Sequence, residues 1–327
     1  MTHNQEIEFD DLQIDAGLVG LRLDRALAQN WPDKSRAFFQ KLIADEQVLL
    51  NHKTCTNTAK RLENGDQIRV FWPSEPEYSL MPENIALDIL YEDEDILVIN
   101  KQAGIAVHPG AGQNSGTLVH ALLHYAPEVF MQMNVQELRP GIVHRLDKDS
   151  SGVMVIAKNN RAETALKASF KQRANEKIYL AICIGGFQQT EGVIELPIAR
   201  HPMQRKKMYA GHVNGKAAYT DYRVLDDNKQ AALLKVNIIT GRTHQIRVHL
   251  ASIGHPIVGD RLYGGQKIRR LFLPQRQMLH AWKLSVTHPR TGEICRFQAK
   301  PAPDFIETMQ KLQLQYSLKL DGANAVL

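Results

Sequence analysis

The stretch from Phe71 to Tyr78, Phe-Trp-Pro-Ser-Glu-Pro-Glu-Tyr, constrains the fold more than any other feature of this chain. Its two prolines cannot donate backbone hydrogen bonds to a helix or a central strand, and such a stretch is typical of an interdomain linker. The 327 residues are therefore expected to form two unequal domains. The predicted divisions are an acidic leader at 1–15, a small domain at 16–73, a linker at 74–84, a large domain at 85–315 and a C-terminal tail at 316–327.

The small domain shows the pattern of two short helices followed by strands. Leu23, Leu27 and Trp31 recur at helical spacing until Pro32 ends the first helix. Ser35 is a candidate N-cap for the second helix, whose apolar stripe is then Phe38, Phe39, Leu42 and Ile43. Strands are predicted at 48–51 and 67–72, with a turn at 63–66 between them. This order predicts a small α/β domain.

The large domain mixes strands and helices without a regular βαβ period. The clearest predicted strands are 153–157, 179–184, 231–239 and 279–286, and the clearest predicted helices are 117–125, 161–172 and 243–252. Such mixing favours an α+β fold with a mixed, largely antiparallel sheet flanked by helices over a doubly wound fold.

Several classes of protein are disfavoured by simple counts. No run of about 18 apolar residues exists that could span a bilayer, and the acidic leader is unlike a secretory signal. We therefore expect a cytoplasmic protein without a membrane partner. The three cysteines lie singly, so neither a zinc site nor a disulfide framework is predicted.

Net charge is +5, and the cations gather in clusters that would suit an anionic polymer. The alternative for any single cluster is an ordinary solvated surface. The clusters are Lys158, Arg161, Lys167, Lys171, Arg173 and Lys177; Arg200, Arg205, Lys206 and Lys207; and Arg261, Lys267, Arg269, Arg270 and Arg276.

The segment His144-Arg-Leu-Asp-Lys-Asp-Ser-Ser-Gly152 crowds opposite charges between two apolar stretches. A loop of this kind can desolvate and pair a carboxylate, which is how active sites tune an aspartate. The alternative is a polar surface turn with incidental ion pairs, and composition alone favours that alternative slightly.

A second segment, Thr240-Gly-Arg-Thr-His-Gln-Ile-Arg-Val-His-Leu250, places several cationic side chains near the start of a predicted helix. His244 and Arg247 are three residues apart and share a helix face. Because a guanidinium can give a carboxylate two parallel hydrogen bonds, this segment could hold an aspartate of the first segment in its ionised form.

A third segment, Glu176-Lys-Ile-Tyr-Leu-Ala181, alternates polar and apolar residues like a strand with one wet face. Tyr179 could stack on a base from such a face. The commoner fate of a tyrosine is to pack at a strand edge with its hydroxyl in water, and the pattern alone favours that alternative.

Together these segments resemble the RluA family of pseudouridine synthases. The first is similar to the family's His-Arg-Leu-Asp-Lys-Asp-Thr-Ser-Gly motif, and the second to its Gly-Arg-Thr/Ser-His-Gln-Ile/Leu-Arg-Val-His segment. The third resembles its Lys-x-Tyr strand, and 100–109 resembles its Asn-Lys-Pro-x-Gly-x-x-Val-His-Pro segment.

Residues 21–70 resemble an S4-type RNA-binding domain through Arg22-Leu-Asp24, Ser35-Arg36, Asn51 and Gly65-Asp66. Two departures are Ser150 in place of threonine and His52 in place of the glycine after Asn51, which puts that turn in doubt.

The resemblance implies an isomerase that converts uridine in RNA to pseudouridine, with the target base flipped out of the RNA. It implies that Asp147 is the nucleophile, that Arg145 fills the space vacated by the base and that Tyr179 stacks on the uracil and helps to remove its C5 proton. Arg247, with Arg242 as the alternative, would keep Asp147 ionised. Attack at the ribose C1′, attack at uracil C6 and assisted glycal formation all remain open.

The resemblance also implies a set of RNA contacts and no cofactor or metal. The expected RNA-binding residues are Lys34, Ser35, Arg36, Lys41, Asn51, Lys53, His144, Lys148, Lys177, Arg242, His244 and Gln245. The small domain favours large-subunit ribosomal RNA as the substrate over transfer RNA, by analogy with family members that carry an S4 domain. A monomer without an obligate protein partner is expected. The rival classes are a catalytically inactive RNA-binding protein and a metal-dependent hydrolase that uses some of the 13 histidines, although no HExxH motif occurs.

Overall fold

The computed structural model describes residues 9–32, 34–72, 80–110, 113–133, 139–204, 206–264 and 274–315. The chain divides into two compact units, Met1–Ser79 and Leu80–Leu327. The predicted tail at 316–327 and most of the predicted linker lie outside the described residues. No helix in the described ranges is long and apolar enough to cross a membrane.

The N-terminal unit is a four-stranded antiparallel sheet with two helices. The elements are β1 (Phe9–Gln13), α1 (Leu23–Asn30), α2 (Arg36–Ala44), β2 (Val48–Leu50), β3 (Lys53–Thr54) and β4 (Gln67–Phe71), and the strand order is β1-β4-β2-β3. The prediction that residues 1–15 form a leader outside this domain is wrong for 9–13, because β1 pairs with β4 along its whole length. The sequence pattern did not indicate this strand because its side chains are mostly exposed and partly acidic. One of them, Asp11, forms an ion pair with Arg69 on the neighbouring strand.

The turn between β2 and β3 forms in spite of the missing glycine. Asn51 and His52 both adopt the left-handed conformation, with φ of 51° and 64°, as a two-residue hairpin turn with a matching twist requires. The side chain of Asn51 donates to Asp66 and accepts from the backbone N–H of Gln67. These bonds hold the turn against the end of β4, so His52 does not prevent the hairpin.

The C-terminal unit is built on one nine-stranded sheet with the order β5-β6-β7-β14-β8-β13-β12-β9, and β15 pairs with β14. Its strands are β5 (Ile89–Glu92), β6 (Ile96–Lys101), β7 (Ser151–Ala157), β8 (Glu176–Ile184), β9 (Glu191–Ile194), β10 (Ile198–Arg200), β11 (Met208–Ala210), β12 (Thr220–Asp227), β13 (Ala231–Ile238), β14 (Leu279–Thr287) and β15 (Ile294–Gln298). Strands β10 and β11 form a separate hairpin. All pairs in the large sheet are antiparallel except β7 with β14.

Helices cover this sheet, which confirms the predicted α+β class. They are α3 (Leu118–Tyr125), α4 (Pro127–Phe130), α5 (Asn160–Gln172), α6 (Gln245–Ser252) and α7 (Pro303–Lys311). The seven residues of β7 are all buried, as expected for a central strand that carries a continuous apolar run. Phe130, Phe297 and Phe305 are among the largest side chains buried in the same core.

The parallel pairing of β7 with β14 requires a glycine where the chain enters β7. Gly152 has φ +120°, and a Cβ at this position would lie 2.1 Å from the carbonyl oxygen of Ala281. No other residue fits between the two backbones at that distance. The loop that precedes Gly152 is therefore held at the middle of the sheet.

Candidate active site

The central feature of the site is an arginine held between two aspartates. Arg247, on α6, donates through Nη1 to Oδ2 of Asp147 at 2.8 Å. Its Nε and Nη2 donate to the two oxygens of Asp260 at 2.7 and 3.0 Å. Asp260 is completely buried, whereas a fifth of the Asp147 side chain is exposed. Burial alone would lower the pKa of Arg247, but the hydrogen bonds and charges of both carboxylates outweigh it and raise the pKa.

Two buried cations hold the loop of Asp147 by its main chain. Lys101, at the end of β6, donates to the carbonyl of Lys148 at 3.1 Å and to those of Gln102 and Ile105. Arg276 donates to the carbonyl of Asp149 at 3.1 Å. The 147–149 turn is thus fixed from two sides, since both donors are themselves buried.

A cavity of about 100 Å³ opens beside Asp147. Its lining residues come from the 145–150 loop, β8, the end of β13, the 241–247 segment and β14: Arg145, Leu146, Asp147, Ser150, Tyr179, Ile238, Gly241, Arg242, Thr243, His244, Gln245, Ile246, Arg247 and Leu279. The walls are mostly apolar around a carboxylate and its arginine, which is the usual make-up of a small-molecule or nucleobase site.

Tyr179 contributes its side chain to this cavity from β8. The side chain is buried at 9 % exposure, in contrast to the exposed strand-edge position that its pattern favoured. Burial, together with the negative charge of Asp147, raises the pKa of the Tyr179 hydroxyl. The hydroxyl is therefore protonated at neutral pH and available as a donor beside the carboxylate.

His244 faces the same carboxylate from the N-terminus of α6. Its Nε2 lies 4.0 Å from Oδ2 of Asp147, and its Nδ1 lies 2.8 Å from the hydroxyl of Tyr263. The residue is the N-cap of α6 with φ of 56°, so the helix begins at Gln245 and not at 243 as predicted. Burial lowers the pKa of His244, and the charge of Asp147 opposes this shift.

Three predicted site residues in the two segments around the cavity are exposed or half-buried. Arg145 and Lys148 are exposed, and Arg242 is half-buried. Nε of Arg242 donates to the carbonyl of Ala217, so Arg242 does not contact Asp147 in the way that Arg247 does. Of the two arginines predicted as its partner, the structure thus selects Arg247.

Three predicted RNA contacts are instead engaged inside the protein. His144 stacks on Phe170 with the ring centroids 4.6 Å apart, and its Nε2 accepts the backbone N–H of Val155. Burial, with the nearby charge of Lys177 as the smaller cause, lowers the pKa of His144 to about 3. The Lys177 side chain is buried and donates to the carbonyl of Ile239.

Gln245 is the third residue of this kind, and its side chain is buried. Its carboxamide oxygen accepts from the hydroxyl of Thr240 and the backbone N–H of Arg242, and its nitrogen donates to Tyr219 and Thr220. The RNA contacts of His144, Lys177 and Gln245 therefore stay predictions, although the polar groups of these side chains are already bonded within the protein. Polar side chains in a charged segment suggested exposure, but Lys177 and Gln245 are buried, His144 is half-buried, and all three make hydrogen bonds within the protein.

In the N-terminal unit, a buried aspartate organises the predicted RNA-binding surface. Asp24 accepts hydrogen bonds from Arg22, Arg36 and Gln40, while about half of the Arg36 side chain stays exposed. Ser35 caps α2 through the backbone N–H of Phe38. The remaining predicted contacts in this unit are exposed residues: Lys34, Lys41, Asn51 and Lys53.

The basic clusters are only partly available to an anion. Arg161, Lys171, Arg173, Arg200, Lys206 and Arg261 are exposed, whereas Arg276 is buried and its guanidinium contacts Asp304. Placing Arg276 in a phosphate-binding cluster is therefore wrong. Arg205, Lys267, Arg269 and Arg270 lie outside the described residues.

One group of possible metal ligands occurs within the described part of the chain, at Asp93, Asp95 and His288. His288 Nδ1 accepts backbone N–H groups, so its Nε2 donates to Asp93 at 2.9 Å. Arg290 pairs with Asp95. The group holds a turn together through internal bonds, and it lies apart from the cavity residues.

Sequence reasoning missed four residues that shape this site: Lys101, Asp260, Tyr263 and Arg276. A signal existed for two of them, because Gly259-Asp260-Arg-Leu-Tyr263 follows the 240–250 segment closely. For Lys101 and Arg276 the sequence carried no sign that a cation would be buried.

Comparison with known proteins agrees with this geometry. A family model described as RNA pseudouridylate synthase matches residues 95–252, and an S4 domain model matches residues 21–68. Ribosomal large subunit pseudouridine synthase D of Escherichia coli (strain K12) is 41% identical over 308 residues, covering 91% of this chain and 92% of that protein. An uncharacterized RNA pseudouridine synthase of Aquifex aeolicus (strain VF5) is 43% identical, covering 87% and 91%.

Solved structures show the same catalytic fold. Human RNA Pseudouridylate Synthase Domain Containing 1 superposes with a TM-score of 0.54 at 27% identity, covering 75% of this chain and 100% of that chain. Human RNA Pseudouridylate Synthase Domain Containing 4 gives a TM-score of 0.53 at 26% identity, covering 70% and 94%.

The chain therefore belongs to the RNA pseudouridine synthases, which are isomerases. Within that class it is an RluA-family enzyme with an N-terminal S4 domain.

Proposed function

We propose that Asp147 is the catalytic carboxylate of this synthase and that it acts on a uracil held in the cavity beside it. The observation that carries the proposal is the 2.8 Å hydrogen bond from Arg247 to Oδ2 of Asp147. Among the described residues the other carboxylate oxygen, Oδ1, accepts no hydrogen bond. That oxygen is thus available to the substrate while Arg247, anchored by Asp260, fixes the orientation of the carboxylate.

The reaction breaks the N1–C1′ bond of uridine, forms a C5–C1′ bond, removes the proton from C5 and leaves a proton on N1. Its product is an isomer, so it requires no net oxidant, reductant or energy source. Asp147 assists cleavage and religation, and Arg247 supplies the positive charge that balances it. Tyr179 stacks on the uracil and assists removal of the C5 proton.

Access to a uridine in folded RNA requires the base to leave its stack. Arg145 is exposed and lies at the rim of the cavity, two residues before Asp147. A guanidinium in this place can enter the space that the base vacates and contact neighbouring bases or phosphates. We therefore assign base flipping to Arg145.

We propose large-subunit ribosomal RNA as the substrate, and the cytoplasm as the place where the enzyme meets it. Support comes from the relatives named ribosomal large subunit pseudouridine synthase D, which align along most of their length. The S4 domain supplies a second RNA contact through exposed cations such as Arg36, Lys41 and Lys53.

The decisive test of the site replaces Asp147 with asparagine, which keeps the shape of the side chain and removes its charge. Asp147→Asn should reduce pseudouridine formation in a ribosomal RNA transcript by more than about a thousandfold and leave the RNA dissociation constant within about twofold. Asp221→Asn, on β12, is the matched control and should keep wild-type activity. Residual turnover above about a thousandth of the wild-type rate in Asp147→Asn would overturn the assignment.

The substrate proposal is tested by mapping pseudouridines in ribosomal and transfer RNA from cells with and without the gene. Loss of pseudouridine at large-subunit positions, restored by the wild-type chain and not by Asp147→Asn, is the expected result. Loss confined to transfer RNA would contradict the ribosomal substrate while leaving the catalytic assignment intact.

The contribution of the S4 domain can be measured by salt dependence. Each phosphate contact removed should reduce the slope of log affinity against log salt by about 0.7 to 0.9. The double variant Lys41→Gln/Lys53→Gln should therefore bind more weakly and with a flatter slope. Lys229→Gln, in a turn of the catalytic unit, is the control for loss of a lysine charge outside the S4 domain. An unchanged slope would remove these lysines from the RNA interface.

A further inference from the structure

Tyr263 lies at the end of a turn that Asp260 organises. Oδ1 of Asp260 accepts the backbone N–H groups of Leu262 and Tyr263 at 2.9 and 3.1 Å, while the same carboxylate anchors Arg247. The position of Tyr263 is therefore fixed by the residue that fixes Arg247.

The side chain of Tyr263 makes three contacts around the site. Its hydroxyl accepts the backbone N–H of Met208, on β11, at 2.9 Å. The hydroxyl also lies 2.8 Å from Nδ1 of His244. The guanidinium carbon of Arg247 is 5.2 Å from the ring centroid, within the range of a cation–π contact.

These contacts favour one placement of the protons. Because the hydroxyl of Tyr263 accepts from Met208, its own proton is free to be donated, and Nδ1 of His244 lies within hydrogen-bond distance. A neutral imidazole that accepts at Nδ1 carries its proton on Nε2. That atom faces Asp147 at 4.0 Å. Burial raises the pKa of Tyr263 and lowers that of His244, so both groups are in the required protonation states at neutral pH.

We propose that Tyr263 is a positioning residue of this synthase: its hydroxyl donates to His244 and holds the imidazole with an Nε2–H facing Asp147, while its ring supports Arg247. The proposal rests on the assignment of Asp147 as the catalytic carboxylate. It gives the carboxylate a second neighbour that presents a proton, beside the charged Nη1 of Arg247. The hydroxyl of Tyr263 also ties the β10–β11 hairpin to this arrangement through Met208.

Nitrogen-15 spectra of the full-length protein labelled at histidine test the proposal directly, since the two tautomers of neutral imidazole have different Nδ1 and Nε2 shifts. His244→Gln identifies the His244 signals by their loss. In the wild type at neutral pH these signals should report the Nε2–H tautomer. A His244 with its proton on Nδ1 would overturn the proposal, and this measurement needs no variant of Tyr263 to fold.

A second experiment measures activity in Tyr263→Phe, which keeps the ring beneath Arg247 and removes the hydroxyl. Its His244 should show a mixture of tautomers, and its single-turnover rate should fall by about tenfold to a hundredfold with RNA affinity within about twofold. Tyr222→Phe removes a hydroxyl from β12, outside the cavity lining, and should change neither readout. An unaltered tautomer and rate in Tyr263→Phe would contradict the proposal.

The two assignments can fail separately. If Asp147→Asn stays active, the catalytic role of Asp147 is wrong, whatever tautomer His244 shows. If Asp147→Asn is inactive and the wild-type His244 carries its proton on Nδ1, the catalytic assignment stands and the role of Tyr263 is wrong.

Discussion

Nη1 of Arg247 donates a hydrogen bond to Oδ2 of Asp147 across 2.8 Å, although the two residues are 100 positions apart in the chain. The contact is made possible by elements that place each partner independently. Asp147 comes from the loop before a central strand, and Arg247 comes from the first turn of α6. Because Asp260 fixes the other side of the guanidinium, the arginine has one direction left in which to donate.

Replacing Arg247 with lysine should reduce the single-turnover rate by about tenfold to a hundredfold, because a hydrogen bond to a charged group contributes about 1.5–3 kcal/mol. An ammonium group cannot donate in two directions with the geometry of the planar guanidinium. Rates of pseudouridine formation by Arg247→Lys and by Arg223→Lys, an exposed control on β12, would be compared. A wild-type rate in both variants would show that catalysis does not require the planar guanidinium of Arg247.

Tyr179→Phe should bind RNA normally and form pseudouridine about a hundredfold more slowly, since the ring remains to stack while the hydroxyl that assists proton transfer is lost. Release of tritium from uridine labelled at C5 measures this step. Tyr179→Leu, which removes the ring as well, should be slower still. A phenylalanine variant with full activity would restrict Tyr179 to stacking.

Lys101 should make the stability of the enzyme depend on pH. Burial lowers the pKa of its ammonium to about 7 from an ordinary value of 10.5. Between these values the unfolded chain binds more protons than the folded one, so the contribution of Lys101 to the free energy of unfolding increases as pH rises. Below about pH 7 both states are protonated and this contribution is constant.

Urea unfolding of wild type and Lys101→Met at about pH 7 and about pH 9 checks this expectation. The difference in unfolding free energy between wild type and variant should shift in favour of the wild type at the higher pH. Lys229→Met serves as the exposed control. An equal difference at both pH values would contradict the lowered pKa.

Asp24→Asn should destabilise the N-terminal unit by about 1–3 kcal/mol, because the buried side chain loses the charge that strengthens its hydrogen bonds from two arginines. Burial alone would raise the pKa of Asp24, but hydrogen bonds from Arg22, Gln40 and Arg36 outweigh it and lower the pKa to about 2. RNA affinity should fall in parallel as Arg36 loses its anchor. Urea unfolding and RNA titration measure the two effects, with the exposed Asp45→Asn as control. Unchanged stability in Asp24→Asn would contradict the anchoring role.

The elements of the catalytic unit were predictable because their apolar patterns are local. The strand predicted at 231–239 is observed at Ala231–Ile238, and the helix predicted at 161–172 is observed at Asn160–Gln172. The strand at Phe9–Gln13 was missed because its side chains are mostly exposed and acidic. Its existence depends on pairing with β4, which lies more than fifty residues later in the chain.

The residues alone indicated only that an arginine of the 240–250 segment could hold an aspartate of the 144–152 segment. The choice of Asp147 and Arg247 came from the resemblance to the family motifs. The site was not predictable where burial decides the role. Gln245 and Lys177 are polar residues in charged segments, yet their side chains complete hydrogen bonds inside the fold. Which carboxylate would anchor the arginine was equally hidden, because the complete burial of Asp260 is a property of the assembled sheet and helices.

Lys101 and Arg276 hold the turn that carries Asp147 by donating hydrogen bonds to the carbonyl oxygens of Lys148 and Asp149. The backbone carbonyl oxygen is the same in every residue type. These two hydrogen bonds therefore do not depend on which side chains stand at positions 148 and 149. Substitutions there can alter the charge and shape offered to an RNA without displacing the carboxylate. The loop thus separates what must stay fixed for chemistry from what is free to diverge as an enzyme acquires a new target.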